Sequence, residues 1–223
     1  NFPTIRLMII SLDKKFVCLN PPKTGTGYRE GLLLPHTDLS HVHISDKMQN
    51  LLDDLNITVE RFRHLNYSQS SQFIRSLGLD DNEFYFFTFV RNPWHRMVSH
   101  FNMSVQQNPN LVLTKECCKA WMLRYFTQEN PHISYTQEDF CRHDGREVDL
   151  ISSLTEIKRA MDFLNQKLKL NVDCINHTPQ HSSLHHKIYE FLDNEIIDLI
   201  ATKEHYIISK MQFTYSEFNH DQS

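Results

Sequence analysis

The sequence predicts an α/β fold with a central, mainly parallel sheet flanked by helices. Short apolar segments alternate along the chain with longer segments of helical periodicity. The most apolar segment, residues 84–90, reads FYFFTFV and lacks the alternation of a strand that has one wet face. Such a strand is typical of a parallel sheet covered on both sides, and ligands bind at the carboxyl ends of the strands in these sheets.

Size and charge limit the classes of protein to consider. A chain of 223 residues with 40% hydrophobic content suits one globular domain, which we expect to span residues 1–223. The net charge of −4 does not favour nucleic acid as a partner, so positive charge at a ligand site must be local. The apolar run 7–10 is far shorter than the roughly 20 residues of a membrane span, so we expect no span in this chain.

Cysteines and glycosylation sequons favour different compartments. Five cysteines without CxxC spacing suggest neither a zinc site nor a disulfide framework, and unpaired thiols favour the cytoplasm. Four N-x-S/T sequons favour a Golgi lumen instead, if an upstream anchor was removed. No metal is expected, because the His41/His43 and His185/His186 pairs lack a third ligand at suitable spacing. The sequons are at Asn56, Asn66, Asn102 and Asn176.

The first strand, loop and helix lie between residues 16 and 34. The apolar segment Phe16–Leu19 predicts a strand, which must end at the Asn-Pro-Pro sequence of residues 20–22. A tight loop reading KTGTG follows at residues 23–27, and residues 28–34 then predict a helix. This order directs backbone N–H groups and the positive end of a helix dipole toward one place.

The loop at residues 23–27 has the composition of an anion site. We expect Gly25 and Gly27 to adopt positive φ and to permit close approach of an anion. Lys23 adds a positive charge, and Thr24 and Thr26 add hydroxyl donors. The pattern differs from the nucleotide-hydrolase loop GxxxxGK[ST], because the lysine precedes both glycines. An ordinary strand–helix connection with a solvated lysine is the alternative interpretation.

A second strand–helix unit begins with the strand at residues 84–90. It ends at Arg91, after which Asn92 suits a helix N-cap and Pro93 suits the first helical position. The helix is expected to run to about residue 105, with an apolar stripe that excludes Arg96 and Ser99. An arginine fork and a hydroxyl, as at Arg91 and Ser99, can grip a phosphate. Arg96 is expected either to reach a nucleotide or to form a salt bridge on an exposed helix face.

The remaining elements follow from periodicity, caps and breakers. Residues 57–62 alternate and predict a strand ending at Arg63 and His64, and residues 127–147 predict a long loop or lid. A second short strand is expected at residues 148–151. Trp121 and Tyr125 suit core packing better than an acceptor pocket, and Cys117 and Cys118 suit packing better than redox chemistry. The further predicted helices are 45–55, 70–77, 114–126, 155–170, 184–192 and 195–208.

Two of these segments carry a resemblance to a known family. PKTGTGY at residues 22–28 resembles the 5′-phosphosulfate loop of sulfotransferases, and FVRNPWHRMVSHF at 89–101 resembles their 3′-phosphate motif. The variant is similar to the carbohydrate-type branch, which has Golgi and bacterial members. Looser similarity at residues 64–78, 145–154 and 185–200 extends the resemblance over nearly the whole chain.

The resemblance implies a fold, a donor and roles for individual residues. The fold would be the three-layer, P-loop-kinase-like one, and the donor would be 3′-phosphoadenosine 5′-phosphosulfate (PAPS), with adenosine 3′,5′-bisphosphate as product and no metal required. Lys23 would stabilise charge on the leaving phosphate, and Arg91 and Ser99 would hold the 3′-phosphate. The residues implied to wrap the 5′-phosphate are Thr24, Gly25, Thr26, Gly27 and Tyr28.

The base and the acceptor are less well defined by the sequence. His64 is the preferred base, because a neutral imidazole suits proton abstraction near neutral pH; Glu30 and His36 are lesser candidates. Ser153 and Thr155 stand where the family often carries Arg and Glu, which puts the acceptor class in doubt. A hydroxyl or an amine, with carbohydrates among the candidates, is the expected acceptor group. Two alternatives stay open: a nucleotide kinase or other phosphotransferase, and a nucleotide-binding module without catalysis.

Overall fold

The computed structural model describes residues 8–37, 50, 52–55, 62–127, 136–174 and 183–215. Contacts group the chain into two compact units. The first, called unit 1, comprises Asn1–Val90 with Asp139–His177, and the second, unit 2, comprises Arg91–Glu138 with Thr178–Ser223. The expectation of one domain over residues 1–223 stays a prediction.

The described residues form six strands and eight α-helices. The strands are β1 (Ile9–Ser11), β2 (Phe16–Leu19), β3 (Tyr85–Val90), β4 (Arg142–His143), β5 (Arg146–Glu147) and β6 (Leu150–Ser153). The helices are α1 (Thr26–Leu33), α2 (Tyr67–Ser76), α3 (Pro93–Gln107), α4 (Lys115–Thr127), α5 (Ile157–Leu168), α6 (Ser183–Glu190), α7 (Asn194–Lys203) and α8 (His205–Met211).

Unit 1 is built on a four-stranded sheet of order β1-β2-β3-β6. β1 is antiparallel to β2, whereas β2, β3 and β6 are parallel, with Leu19 opposite Thr88 and Val90 opposite Ser153. The carboxyl ends of these three strands therefore lie at one edge of the sheet. A separate two-stranded hairpin pairs β4 with β5.

Helices cover both faces of this sheet. Phe87 and Phe89 of β3 belong to a buried cluster that includes residues of α1 and α5. Phe86 points to the opposite face, where its ring meets that of Tyr67 in α2, with the centroids 5.0 Å apart. The predicted mixed α/β class with a mainly parallel sheet flanked by helices is therefore confirmed. The continuous apolarity of residues 84–90 reflects this burial on both sides.

Unit 2 is helical, with α3 at its centre. The side chain of Asn92 caps α3 by accepting from the backbone N–H of Trp94 at 3.2 Å, and Pro93 occupies the first helical position, as predicted. Tyr125 and Cys118 lie in the core together with Trp94, and Trp121 and Cys117 are partly buried against it, which supports the packing interpretation of the two aromatic rings and the two cysteines. The cluster also contains Met97, Val98, Phe101, Met122, Phe126, Ile188, Tyr189, Leu192, Ile196 and Ile200.

Several predicted boundaries differ from the observed ones for identifiable reasons. α2 begins at Tyr67, because Asn66 and Gln69 form a reciprocal capping box that the prediction overlooked. β6 starts at Leu150 rather than at residue 148, since the N–H of Val148 donates to the carbonyl of Cys141 instead of joining the sheet. The predicted helix 195–208 is two helices, α7 and α8, separated at Glu204.

Some predicted elements fall on residues outside the described ranges. Residues 57–61 of the expected strand lie there, and Phe62 at its end is helical rather than extended. Of the helix expected at 45–55, residues 50 and 52–54 are described and helical. In the loop expected at 127–147, residues 128–135 lie outside, and the rest contains a 3₁₀ turn at Glu138–Phe140 and the β4–β5 hairpin.

No helix in the part of the chain that the structure describes combines the length and the apolar character required to cross a bilayer.

Alanine substitution of one glycine in the first loop and of one in α1 tests the backbone conformation of the loop. Gly25 has φ 75°, and a Cβ built on it would lie 2.9 Å from Cδ1 of Leu154, whereas Gly31 in α1 is exposed and a Cβ there meets nothing within 4 Å. We expect Gly25→Ala to lower the free energy of unfolding by about 1–2 kcal/mol through left-handed strain. Gly31→Ala is expected to raise it by about 0.5–1 kcal/mol. Urea denaturation of both variants measures the difference, and equal stabilities would contradict the assigned loop conformation.

Candidate anion-binding site

The loop between β2 and α1 has an unusual backbone. Lys23 has φ 67° and Gly25 has φ 75°, so two residues of this short turn lie in the left-handed region. A lysine rarely adopts this conformation, and such strain is found where the surrounding structure requires it, frequently at ligand sites. Gly25 is the N-cap of α1. The expectation of positive φ is thus confirmed for Gly25 and wrong for Gly27, which has helical backbone in the first turn of α1.

Backbone N–H groups gather at the start of α1. The hydrogen bonds of the first helical turn begin with Tyr28 and Arg29, whose N–H groups both donate to the carbonyl of Gly25, at 3.2 and 3.3 Å. The N–H groups of Gly25, Thr26 and Gly27 precede these bonds, and no carbonyl within the described ranges accepts from them. Gly27 is exposed and a Cβ there would meet nothing within 4 Å. The turn can therefore present three N–H donors to one anion.

The side chains of the loop divide into inward and accessible groups. Thr24 is fully buried, and its hydroxyl donates to the carbonyl of Pro21 at 2.7 Å, so a contact between Thr24 and a ligand would use its backbone. The Tyr28 hydroxyl lies 3.4 Å from Sγ of Cys174, which directs this ring into the core of unit 1 rather than toward the loop. Lys23 is half-buried, and Thr26 is mostly buried at the first position of α1.

Arg29 holds the loop from inside. Its side chain is completely buried, and Nη2 donates to Oδ1 of Asn20 and to Oγ1 of Thr24, both at 3.0 Å. Nη1 donates to the carbonyl of Thr24, and the guanidinium lies 5.3 Å from the centre of the Phe89 ring. One side chain thus joins the end of β2 to the turn. This role was not predicted from the sequence, because hydropathy places an arginine at the surface.

His64 lies beside the start of the same loop. Its Nδ1 is 2.7 Å from the carbonyl oxygen of Asn20. Because a carbonyl can only accept, Nδ1 must carry the proton in the neutral ring, and Nε2 is left with the lone pair. Burial lowers the pKa of His64 below its ordinary value near 6.5, and the positive charge of Arg63 acts in the same direction. His64 is in a turn, so its expected place at a strand end is wrong, but its position suits a base.

The two lesser base candidates are placed differently. Glu30 is buried, and its two carboxylate oxygens accept from Nε and Nη2 of Arg63 at 2.6 and 2.8 Å. A carboxylate held in this bidentate way is a weak proton acceptor. His36 is the last residue of the 3₁₀ turn Leu34–His36 that follows α1.

In unit 2, Arg91 is held through its backbone by Gln137. The amide oxygen of Gln137 accepts from the Arg91 N–H at 2.8 Å, and the amide nitrogen donates to the Arg91 carbonyl at 2.9 Å. The N–H of Gln137 in turn donates to the carboxylate of Glu204 at 3.1 Å. Burial lowers the pKa of Arg91 to about 10, which still leaves it charged at neutral pH. Ser99 is buried in α3.

Arg96 does not lie on an exposed face. It is 1% exposed, and its Nη2 is 2.5 Å from the carboxylate of Glu204, itself fully buried. The expected surface salt bridge is therefore wrong in its location, since the pair is in the core of unit 2. Gln137 and Glu204, which the sequence analysis overlooked, connect this pair to the backbone of Arg91.

Ser153, Thr155, the cysteines and the possible metal ligands provide little evidence of function. Ser153 and Thr155, which depart from the family pattern, bond to each other through hydroxyl oxygens 2.7 Å apart at the end of β6. All five cysteines are free. Within the described ranges no cluster of three or more His, Cys, Asp or Glu side chains could hold a metal ion.

Comparisons of the chain with family models, with curated proteins and with solved structures gave no match.

The tautomer and pKa of His64 can be measured directly. We expect nitrogen NMR shifts to show the Nδ1–H tautomer and a titration midpoint below 6.5, because burial disfavours the charged ring. Since the unfolded chain then binds this proton more readily, the contribution of His64 to stability falls as the pH drops below about 6.5. His64→Gln identifies the signal. A midpoint above 6.5 would contradict the burial of the ring, and the opposite tautomer would contradict the contact with Asn20.

Proposed function

We propose that the chain is a PAPS-dependent sulfotransferase with the P-loop-kinase-like three-layer fold. The observation that carries the proposal is the loop between β2 and α1, where Lys23 is followed by three N–H donors at the start of a helix, at the carboxyl end of a parallel strand. His64 is fixed beside the same loop by the carbonyl of Asn20. An anion cradle next to a neutral base is what transfer from a charged donor to a hydroxyl requires.

The residues proposed to bind the donor are those of the 23–28 loop and Arg91. The N–H groups of Gly25, Thr26 and Gly27 suit the 5′-phosphate, with Lys23 at the bridging oxygen of the leaving group. Thr24 would contribute its backbone N–H, since its hydroxyl is bonded to Pro21, and Tyr28 would contribute only by orienting α1. Arg91 and Ser99 would bind the 3′-phosphate. When bound, PAPS supplies the activated sulfuryl group.

His64 and Lys23 would divide the work of transfer. Nε2 of His64 takes the proton of the acceptor hydroxyl as its oxygen bonds to sulfur, and Lys23 stabilises the negative charge left on the phosphate when its bond to sulfur breaks. Atoms and charge balance, with the sulfated acceptor and adenosine 3′,5′-bisphosphate as products. The proposed acceptor is a hydroxyl-bearing small molecule or glycan. We also propose a cytoplasmic location, because the five cysteines are free thiols.

Two other functions use the same loop. A nucleotide kinase or other phosphotransferase would depend on Mg²⁺, so transfer that persists in EDTA excludes it. A binding module without catalysis would retain nucleotide affinity but form no product with any hydroxyl or amine acceptor. The placement of His64 beside the loop favours an enzyme over the module.

Nucleotide binding by two charge-removing variants tests the donor assignment. We expect Arg91→Ala to weaken binding of adenosine 3′,5′-bisphosphate by roughly tenfold to a hundredfold, the value of a charged hydrogen-bonded contact, while AMP binding changes little. Lys23→Ala is expected to lower turnover by about a hundredfold or more. Calorimetry gives the affinities and labelled donor gives the rates.

Two matched variants serve as controls for loss of charge. Lys14 lies in the turn before β2, and Arg124 is exposed on α4. Lys14→Ala and Arg124→Ala should leave affinity and rate near wild type. Equal losses for both nucleotides in Arg91→Ala would move the 3′-phosphate site elsewhere, and a near-normal rate in Lys23→Ala would refute its catalytic role.

The base is tested by separating binding from chemistry. We expect His64→Gln to retain the affinity for adenosine 3′,5′-bisphosphate and to lose about 10²–10⁴-fold in transfer rate, the usual contribution of a general base. The wild-type rate should fall in acid with a midpoint below 6.5, because the pKa of His64 is lowered. An active His64→Gln variant would transfer the role to Glu30 or His36.

A further inference from the structure

Arg29 is a buried charge whose hydrogen-bond partners are all neutral. The side chain is 0% exposed. Its two Nη atoms donate to Oδ1 of Asn20, to Oγ1 and the carbonyl of Thr24, and, more weakly at 3.4 Å, to Oγ1 of Thr26. None of these oxygens carries a charge. These bonds use the two Nη atoms and leave the charge unneutralised, and Nε is buried without a hydrogen-bond partner among the described residues.

No carboxylate in the described ranges forms an ion pair with Arg29. The neighbouring Glu30 has both oxygens bound to Arg63. The thiol of Cys18 lies beside the guanidinium, but burial raises its pKa to about 12, so it is uncharged at neutral pH. Arg96, the other fully buried arginine among the described residues, is by contrast paired with Glu204 at 2.5 Å.

A buried charge without a counter-charge is costly, and arginine cannot avoid the cost by losing its proton. A second defect lies beside this charge, in Asn20. Its Nδ2 is buried and has no hydrogen-bond partner among the described residues. An aspartate at position 20 would give Arg29 a counter-charge with nearly the same shape, and it would leave no buried donor without an acceptor there. The structure has an amide there instead, so the positive charge below the loop is retained.

We propose that Arg29 is a positioning residue whose charge is balanced by the anion that the loop binds, a dianionic phosphate or sulfate-type group. Arg29 fixes Thr24 and Thr26 from inside, while the N–H groups of Gly25, Thr26 and Gly27 face the anion. Anion binding and loop stability are then coupled through one charge. This inference rests on the anion-binding part of the proposed function and not on sulfuryl transfer.

The sharpest test is Asn20→Asp, which gives Arg29 an internal carboxylate. We expect this variant, without ligand, to unfold at a higher temperature than wild type, because the new carboxylate neutralises the buried charge of Arg29. We also expect it to bind inorganic pyrophosphate at least roughly tenfold more weakly at constant ionic strength, since the positive electrostatic potential at the loop is reduced. Arg29→Met should likewise lose affinity, but with lower stability. Asn66→Asp, at the N-cap of α2, is the control for adding one negative charge and should retain affinity.

The role of Arg29 can be tested even if Arg29→Met does not fold, because Asn20→Asp gives an independent result. Asn20→Asp overturns the inference if its unfolding temperature without ligand is unchanged or lower, or if pyrophosphate stabilises it as much as wild type. A wild type that gains no stability from pyrophosphate over sodium chloride also overturns it. If pyrophosphate behaves as expected but adenosine 3′,5′-bisphosphate binds no better than AMP, the role of Arg29 stands and the sulfotransferase proposal fails.

Discussion

The candidate site in unit 1 depends on the hydrogen bonds of Arg29. Its guanidinium joins Asn20 at the end of β2 to Thr24 in the turn, and its own backbone N–H donates to Gly25 at the N-cap of α1. A turn with two left-handed residues, Lys23 and Gly25, is held only if such contacts outweigh its strain. The same bonds direct the Thr24 hydroxyl inward, which leaves the backbone N–H groups as the donors that the loop can offer.

The two units contain buried arginines in contrasting environments. In unit 2 the Arg96–Glu204 pair is neutral as a whole, and Gln137 connects it to the backbone of Arg91. In unit 1 the arginine has only neutral partners, and its neighbours Glu30 and Arg63 satisfy each other. A neutral pair is suited to structural rigidity, whereas a lone charge is suited to attracting an anion. The proposed role of Arg29 follows from this difference.

Local sequence signals predicted much of the fold, whereas contacts between residues distant in sequence determined the features that were not predicted. Residues 84–90 and the Asn92–Pro93 cap carry strong local signals, and both were predicted correctly. The positive φ of Gly25 followed from its place in a tight turn, but Gly27 became helical because α1 starts at Thr26. The buried positions of Arg29 and Arg96 could not be predicted, since hydropathy places arginine outside and only the folded chain supplies their partners. The tautomer of His64 likewise depends on a carbonyl 44 residues away in sequence.

The most direct test follows the backbone amides of the loop by NMR during titration with adenosine 3′,5′-bisphosphate. The N–H groups of Gly25, Thr26 and Gly27 are the proposed ligands of the 5′-phosphate, and hydrogen bonds to an anion shift amide protons strongly. We expect these three amides to show the largest downfield shifts in unit 1, and we expect Lys23→Ala to reduce them. Saturable binding that leaves all three amides unmoved would contradict this assignment.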